Sequence, residues 1–278
     1  MKVTFWGVRG SIPSPGVYTA RYGGNTSCVS VQLGEDKIMV LDAGTGIKEL
    51  GKTLVTGGMD IFVLVTHIHW DHIQGFPFFA PIYQKDRVIY LFPYQQGETM
   101  FNSLIGQMDG AHFPVSIKDL PSRCRIITED VAAFMRSYGF NVSRVATNHP
   151  GGAYGYRVEN NGRAVVYLTD NELFPPDQES NYFAYFTRFC SGADILIHDA
   201  QYTEQDMPQK HGWGHSLVSQ ACRLAMEAGV KQLVLYHHDP DRTDDQLDEI
   251  QQSARDLIKK NNRSLICTVA YEGLTLSL

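Results

Sequence analysis

The 278-residue chain predicts an α/β protein, and three observations carry that prediction. Short apolar, β-branched runs such as Ile61-Phe62-Val63-Leu64-Val65 and Gln232–Tyr236 read as buried strands. Capped helical stretches alternate with them, the clearest starting at Thr243-Asp244-Asp245 and running to about Lys260. The composition, 43% hydrophobic and 19% charged, suits one large core better than two small ones. We therefore expect a single domain over 1–278, with excursions at about 74–125 and 173–190.

Residues 2–6 open the chain as a strand. Gly7-Val8-Arg9-Gly10-Ser11-Ile12-Pro13-Ser14-Pro15-Gly16 is a loop, and Arg21–Ser27 is a second one. Cys28–Leu33 and Lys37–Leu41 read as a hairpin around Gly34-Glu35-Asp36. A helix follows from Ile47 to about Leu54, then strand 61–65. Residues 74–125 hold the aromatic run Phe76–Tyr83, a strand Val88–Phe92 and a helical stretch around Glu98–Met108. Arg125–Thr128 and Phe140–Ala146 alternate like strands. Ala153–Glu159 and Ala164–Leu168 form another hairpin across Asn160-Asn161-Gly162. Residues 173–190 read as aromatic and irregular. Asp194–Ile197 is a short strand, Leu217–Ala228 a helix ended by Gly229, and Ser264–Val269 and Leu274–Leu278 are the last strands.

The net charge of −6 argues against a basic footprint for long nucleic acid. It leaves room for a small anionic substrate if bound metal dominates the local field. The five cysteines are scattered and form no C-x-x-C pair, so we expect no disulfide framework and a reducing, cytoplasmic setting. The N-terminus runs straight into a strand with no signal-peptide pattern, and no apolar stretch is long enough to span a membrane.

Chemistry concentrates at Thr66-His67-Ile68-His69-Trp70-Asp71-His72, directly after strand 61–65. Open α/β sheets place their sites at such C-terminal strand ends. His67 and His69 share a side of an extended segment, and a turn into helix near Trp70 would aim Asp71 and His72 elsewhere. One loop can then serve two metal ions. Other strands also end on donor residues: 140–146 on His149, 164–168 on Asp170 and 232–236 on His237. A mixed imidazole and carboxylate set suits two divalent ions, zinc first, with manganese or iron as alternatives. Such a pair activates water and neutralises a developing oxyanion.

These residues resemble the metallo-β-lactamase fold superfamily, whose H-x-H-x-D-H motif stands here as His67-Ile68-His69-Trp70-Asp71-His72. The resemblance implies an αββα four-layer sandwich and covers nearly the whole chain. It implies one metal on His67, His69 and His149 and another on Asp71, His72 and His237, with Asp170 bridging and Asp71 also counted as catalytic. His238 is the alternative to His237. The opening Phe5-Trp6-Gly7-Val8-Arg9-Gly10-Ser11-Ile12-Pro13-Ser14-Pro15 is similar to the phosphodiesterase branch, which includes tRNA 3′-processing endonucleases and cyclic-nucleotide phosphodiesterases.

Those endonucleases carry a His-Glu-Ala-Thr segment and a later His-Ser-Thr segment. Here these read His198-Asp199-Ala200-Gln201 and His215-Ser216-Leu217. The resemblance implies that Asp199 orients His215, and that His215 donates a proton or hydrogen bond to the phosphoryl oxygens or leaving group. The alternative is that this segment only caps the following helix, with Ser216 the better cap. No basic, glycine-rich arm for tRNA is present. The aromatic stretches either stack a nucleobase or pack the core or a dimer interface. Arg9, Asn25, Ser27 and Phe113 are candidate substrate contacts, with a structural salt bridge the alternative for Arg9.

The expected activity is a dinuclear phosphodiesterase acting on a small phosphodiester such as a cyclic nucleotide. RNA 3′-end processing, or ester, thioester or lactone hydrolysis on the same metals, are the alternatives. A fold that has lost turnover would lack a ligand, and none of the seven is missing. Relatives are often dimers, which makes a homodimer a candidate assembly by analogy and not from this chain's own residues.

Overall fold

Strand-forming runs build two sheets, one in each of two compact units. The computed structural model describes residues 1–92, 103–128, 130–176, 182–261 and 264–278. In chain order the strands are β1 (Lys2–Gly7), β2 (Cys28–Leu33), β3 (Lys37–Leu41), β4 (Asp60–Leu64), β5 (Val88–Phe92), β6 (Arg123–Ile126), β7 (Asn141–Thr147), β8 (Ala153–Asn160), β9 (Arg163–Leu168), β10 (Ile195–Asp199), β11 (Gln232–Tyr236), β12 (Ile266–Val269) and β13 (Thr275–Ser277). The helices are α1 (Ile47–Leu54), α2 (Trp70–Ile73), α3 (Val131–Ser137), α4 (Phe183–Cys190), α5 (Val218–Glu227) and α6 (Asp244–Lys260). The expected helix around Glu98–Met108 falls partly outside the described residues; residues 103–106 are helical.

The first unit comprises Met1–Pro13, Gly23–Val131 and Tyr271–Leu278. Its sheet has the order β13-β1-β2-β3-β4-β5-β6. β3, β4, β5 and β6 are mutually parallel, while β2 is antiparallel to both β1 and β3. β1, β3 and β4 therefore finish at one edge of the sheet. α1 buries Ile47, Leu50 and Leu54, spaced three and four apart, in the cluster that also holds Val40, Ile61 and Val63.

The second unit comprises Ser14–Tyr22 and Ala132–Ala270. Its sheet has the order β12-β11-β10-β9-β8-β7. β9, β10, β11 and β12 run parallel, and β8 is antiparallel to β7 and β9. β7, β9, β10 and β11 thus all end at one edge. The β8–β9 turn places Asn161 at φ 50° and Gly162 at φ 73°, the left-handed pair that Asn-Gly favours. Thr243 caps α6 by accepting from the Gln246 amide, and Gly229 after α5 has φ 65°.

Two expectations are corrected. Residues 173–190 are not irregular throughout: α4 forms there because Phe186 and Cys190, four apart, are both fully buried. Ser216 does not cap α5. Its hydroxyl donates to the Asn171 carbonyl at 2.5 Å and accepts from the Leu173 amide at 3.1 Å, and Leu217 occupies the cap position.

One buried carboxylate fastens the far edge of this sheet. Asp194 accepts from the Ala164 amide at 2.8 Å, Arg163 at 3.0 Å and Lys231 at 2.7 Å. Burial alone would raise its pKa, but the bonds from Lys231, Ala164 and Arg163 outweigh that and hold it below the usual carboxylate value. A depressed carboxylate adds stability at neutral pH and loses it as pH falls through its own pKa, below about 4. Asp194→Asn is expected to cost about 1–3 kcal/mol at pH 7 and progressively less as pH falls below about 4, measured by urea unfolding across that range.

Candidate metal centre

In the first unit, β3 and β4 end side by side and deliver Asp42 and Thr66-His67. Asp42 is fully buried with φ 63°, a left-handed conformation rare for a residue with a side chain. Its carboxylate accepts from the Thr66 amide at 2.7 Å, the Thr66 hydroxyl at 3.0 Å and His72 Nδ1 at 2.8 Å. Thr66 Oγ1, having donated to Asp42, can accept from His67 Nδ1 at 3.0 Å. The expected turn into helix occurs at Trp70, so Asp71 and His72 lie on α2. His72 Nε2 is 3.1 Å from Asp71 Oδ2, and the rings of His67 and His69 are 4.5 Å apart. Asp71 Oδ2 also accepts from the Ser11 amide at 2.8 Å.

In the second unit, three neighbouring parallel strands deliver donors at one edge: Asp170 follows β9, Asp199 ends β10 and His237 follows β11. Asp170 has φ 48° and His237 φ 61°. Such backbone strain gathers at functional sites. The Asp170 carboxylate is flanked by two imidazoles: Oδ2 lies 3.7 Å from His149 Nε2, and Oδ1 lies 3.3 Å from His237 Nε2. His149 Nδ1 donates to the Gly214 carbonyl at 3.1 Å, which leaves the Nε2 lone pair facing Asp170. His238 is turned differently: its Nε2 donates to the Ala270 carbonyl at 2.8 Å.

His215 Nδ1 donates to Asp199 Oδ2 at 2.6 Å, a short charge-assisted bond. The His215 ring stacks on His237 at 5.1 Å and 22°, and ligand atoms of Asp170, His215 and His237 lie within 4.8 Å of one another. Asp199 is fully buried, and its Oδ1 accepts from the Gln201 and Ser216 amides at 3.1 and 3.3 Å. Burial lowers the pKa of the neighbouring His198. Its Nδ1 donates to the Asp199 carbonyl at 2.6 Å.

The donor chemistry fits borderline divalent ions. His72 and His149 have Nδ1 tied to protein acceptors, and His67 Nδ1 sits on Thr66, so Nε2 is the nitrogen that each could offer to a metal. The expected substrate contacts fit less well. Arg9 and Ser27 have no exposed surface, and Arg9 Nε donates to the Gly23 carbonyl at 2.8 Å. Asn25 spends its amide and its Nδ2 on Glu272, at 2.7 and 2.9 Å. Phe113 packs edge-on against Phe78 at 5.4 Å and onto the core of its unit.

Two site residues carry no expectation from the sequence. Asp42 orients His72, and Glu172 braces the turn before His215. The available signal for Asp42 was its place at the end of β3, the same rule that picks out His67. Asp42→Asn is expected to weaken zinc binding by about 10–100-fold, measured by chelator competition, since outer partners of ligating histidines have that weight.

Residues 40–238 match the family described as the beta-lactamase superfamily domain. A ribonuclease Z of Thermoplasma acidophilum is 25% identical over 297 residues, covering 88% of each chain. Among solved structures, the metallo-beta-lactamase fold protein YhfI of Bacillus subtilis aligns with TM-score 0.68 at 20% identity over 99% of both chains. The short form of human tRNase Z aligns with TM-score 0.61 at 21% identity, over 100% of this chain and 99% of that one. A diphosphatase of the PhnP family aligns with TM-score 0.68 at 18% identity, over 100% and 97%.

Proposed function

From the premise that this chain belongs to the beta-lactamase superfamily, we propose that it is a metal-dependent phosphodiester hydrolase. A small phosphodiester is its substrate, a cyclic nucleotide first. His67, His69 and His149 are assigned to one divalent ion and Asp71, His72 and His237 to the other, with Asp170 shared. Zinc is the first choice, with manganese or iron as alternatives. Bound there, the ions supply Lewis acidity and an activated water.

The observation that carries this reading is the Asp199–His215 pair at 2.6 Å. A phosphodiester expels an alkoxide, which leaves far faster if protonated as it departs. His215 stands beside His237 with Asp199 fixing its Nδ1 as a donor, so Nε2 is the atom that can carry that proton. The named activities of ribonuclease Z and of the PhnP-family diphosphatase support phosphorus over carbon as the reaction centre.

The likeness to ribonuclease Z favours a second reading, RNA 3′-end processing. The net charge of −6 weighs against it, since tracking a long polyanion takes a basic surface. The test is a panel of metal-loaded protein against bis(p-nitrophenyl) phosphate, 3′,5′- and 2′,3′-cyclic nucleotides, an unprocessed tRNA and a lactone. Cleavage of cyclic nucleotides with little action on tRNA is expected. Efficient tRNA trimming would replace this reading with the second, and opening of the lactone alone would end both.

A further inference from the structure

Glu172 is a buried carboxylate, 3% exposed, that belongs to neither the metal ligands nor the acid pair. Its Oε1 accepts from the Gly212 amide at 2.9 Å and its Oε2 from the Gly214 amide at 3.0 Å. His211 Nε2 lies 3.6 Å from Oε1. One side chain therefore holds both ends of the Gly212-Trp213-Gly214 turn. Both glycines have positive φ, 85° and 89°.

That turn has two products. Its Gly214 carbonyl accepts a hydrogen bond from His149 Nδ1 at 3.1 Å. The next residue is His215. A Cβ on Gly214 would stand 2.3 Å from His149 Nδ1, so the backbone packs directly on the imidazole. Glu172 is itself anchored on the other side of His149. Its amide donates to the Asn148 carbonyl at 2.9 Å, and Asn148 Nδ2 donates to the Glu172 carbonyl at 2.9 Å.

We propose that Glu172 is a positioning residue that sets two groups at once: the ring orientation of the metal ligand His149, and the reach of the proton donor His215. A carboxylate suits this place because it accepts through both oxygens, one for each amide. An isosteric amide has one acceptor and turns its NH₂ toward the other N–H. The turn would then lose one of its two anchors, and Gly214 would drift from His149. The His215 half of this inference rests on the phosphodiesterase reading; the His149 half does not.

The test uses Glu172→Gln and Glu172→Asp in the full chain, with far-UV circular dichroism to show that both fold. Zinc affinity, by chelator competition, is expected to fall about 10–100-fold in Glu172→Gln and to be partly restored in Glu172→Asp. kcat is expected to fall more for a phosphodiester with an alkoxide leaving group than for bis(p-nitrophenyl) phosphate, with KM little changed. Wild-type zinc affinity and wild-type kcat on both substrates in folded Glu172→Gln would overturn the proposal. An equal loss on both substrates with intact zinc binding would also overturn it, since that pattern is general loosening. If the wild type cleaves no phosphodiester, the hydrolase reading fails, and the zinc measurement alone upholds or overturns the role of Glu172.

Discussion

Asp170→Ala is expected to abolish phosphodiester hydrolysis and to cut the zinc content of the protein from two ions per chain to one or fewer. Asp170 is an assigned ligand whose carboxylate is placed between two assigned imidazoles, 3.7 Å from His149 and 3.3 Å from His237. Its loss removes a donor from each proposed ion and a negative charge that offsets both. It also removes the acceptor of the Thr169 hydroxyl, bound at 2.7 Å. Loss of an outer partner of a ligand costs about 10–100-fold, which sets a floor for the loss of a shared ligand. The backbone effect runs the other way. Asp170 is held at φ 48°, so Asp170→Gly relieves strain and is expected to be more stable than Asp170→Ala, though equally inactive. Metal analysis and thermal unfolding of the two variants separate ligand loss from backbone strain.

His215→Ala is expected to lower turnover of an alkyl phosphodiester by about 10²-fold while leaving both ions in place. The bond from His215 to Asp199 is 2.6 Å, and its ring stacks on His237 at 5.1 Å. The same variant should lose far less on bis(p-nitrophenyl) phosphate, because p-nitrophenolate departs without a proton. Unequal loss identifies proton donation; equal loss would mean that His215 binds the phosphoryl group instead. Asp199 keeps the Gln201 and Ser216 amides in the variant, so the buried carboxylate is not stranded. Metal loss in His215→Ala would show that the imidazole is a ligand, which its closeness to Asp170 and His237 makes a real alternative.

The sequence displays most of the donors because they follow apolar runs that read as buried strands. Val63 and Leu64 precede His67, Leu168 precedes Asp170, and Tyr236 precedes His237, all fully buried or nearly so. Parallel pairing of β9, β10 and β11 then brings three such ends to adjacent positions. What the sequence hides is backbone conformation. Nothing in Asp42, Asp170 or His237 announces a left-handed φ, since that cost is carried by the surrounding fold. Partners far apart in sequence are hidden too. Asp42 and His72 are 30 residues apart, and Glu172 and Gly214 are 42 apart. The bond from Arg9 Nε to the Gly23 carbonyl, 14 residues on, is another partner that the sequence does not announce. Helix α4 is hard to read because its aromatics are spread round the helix, from the exposed Tyr185 to the buried Phe186, with Phe183 and Phe189 half-buried against the core.

If the seven assigned residues hold two ions that drive phosphodiester cleavage, activity must follow metal loading. Zinc titration of chelator-stripped protein, with cleavage of bis(p-nitrophenyl) phosphate followed in the same samples, tests it most directly. The stripped protein is expected to be inactive, with a rise that saturates at two ions per chain. Cleavage that persists in stripped protein, or full zinc loading with no phosphodiester cleaved, would contradict it.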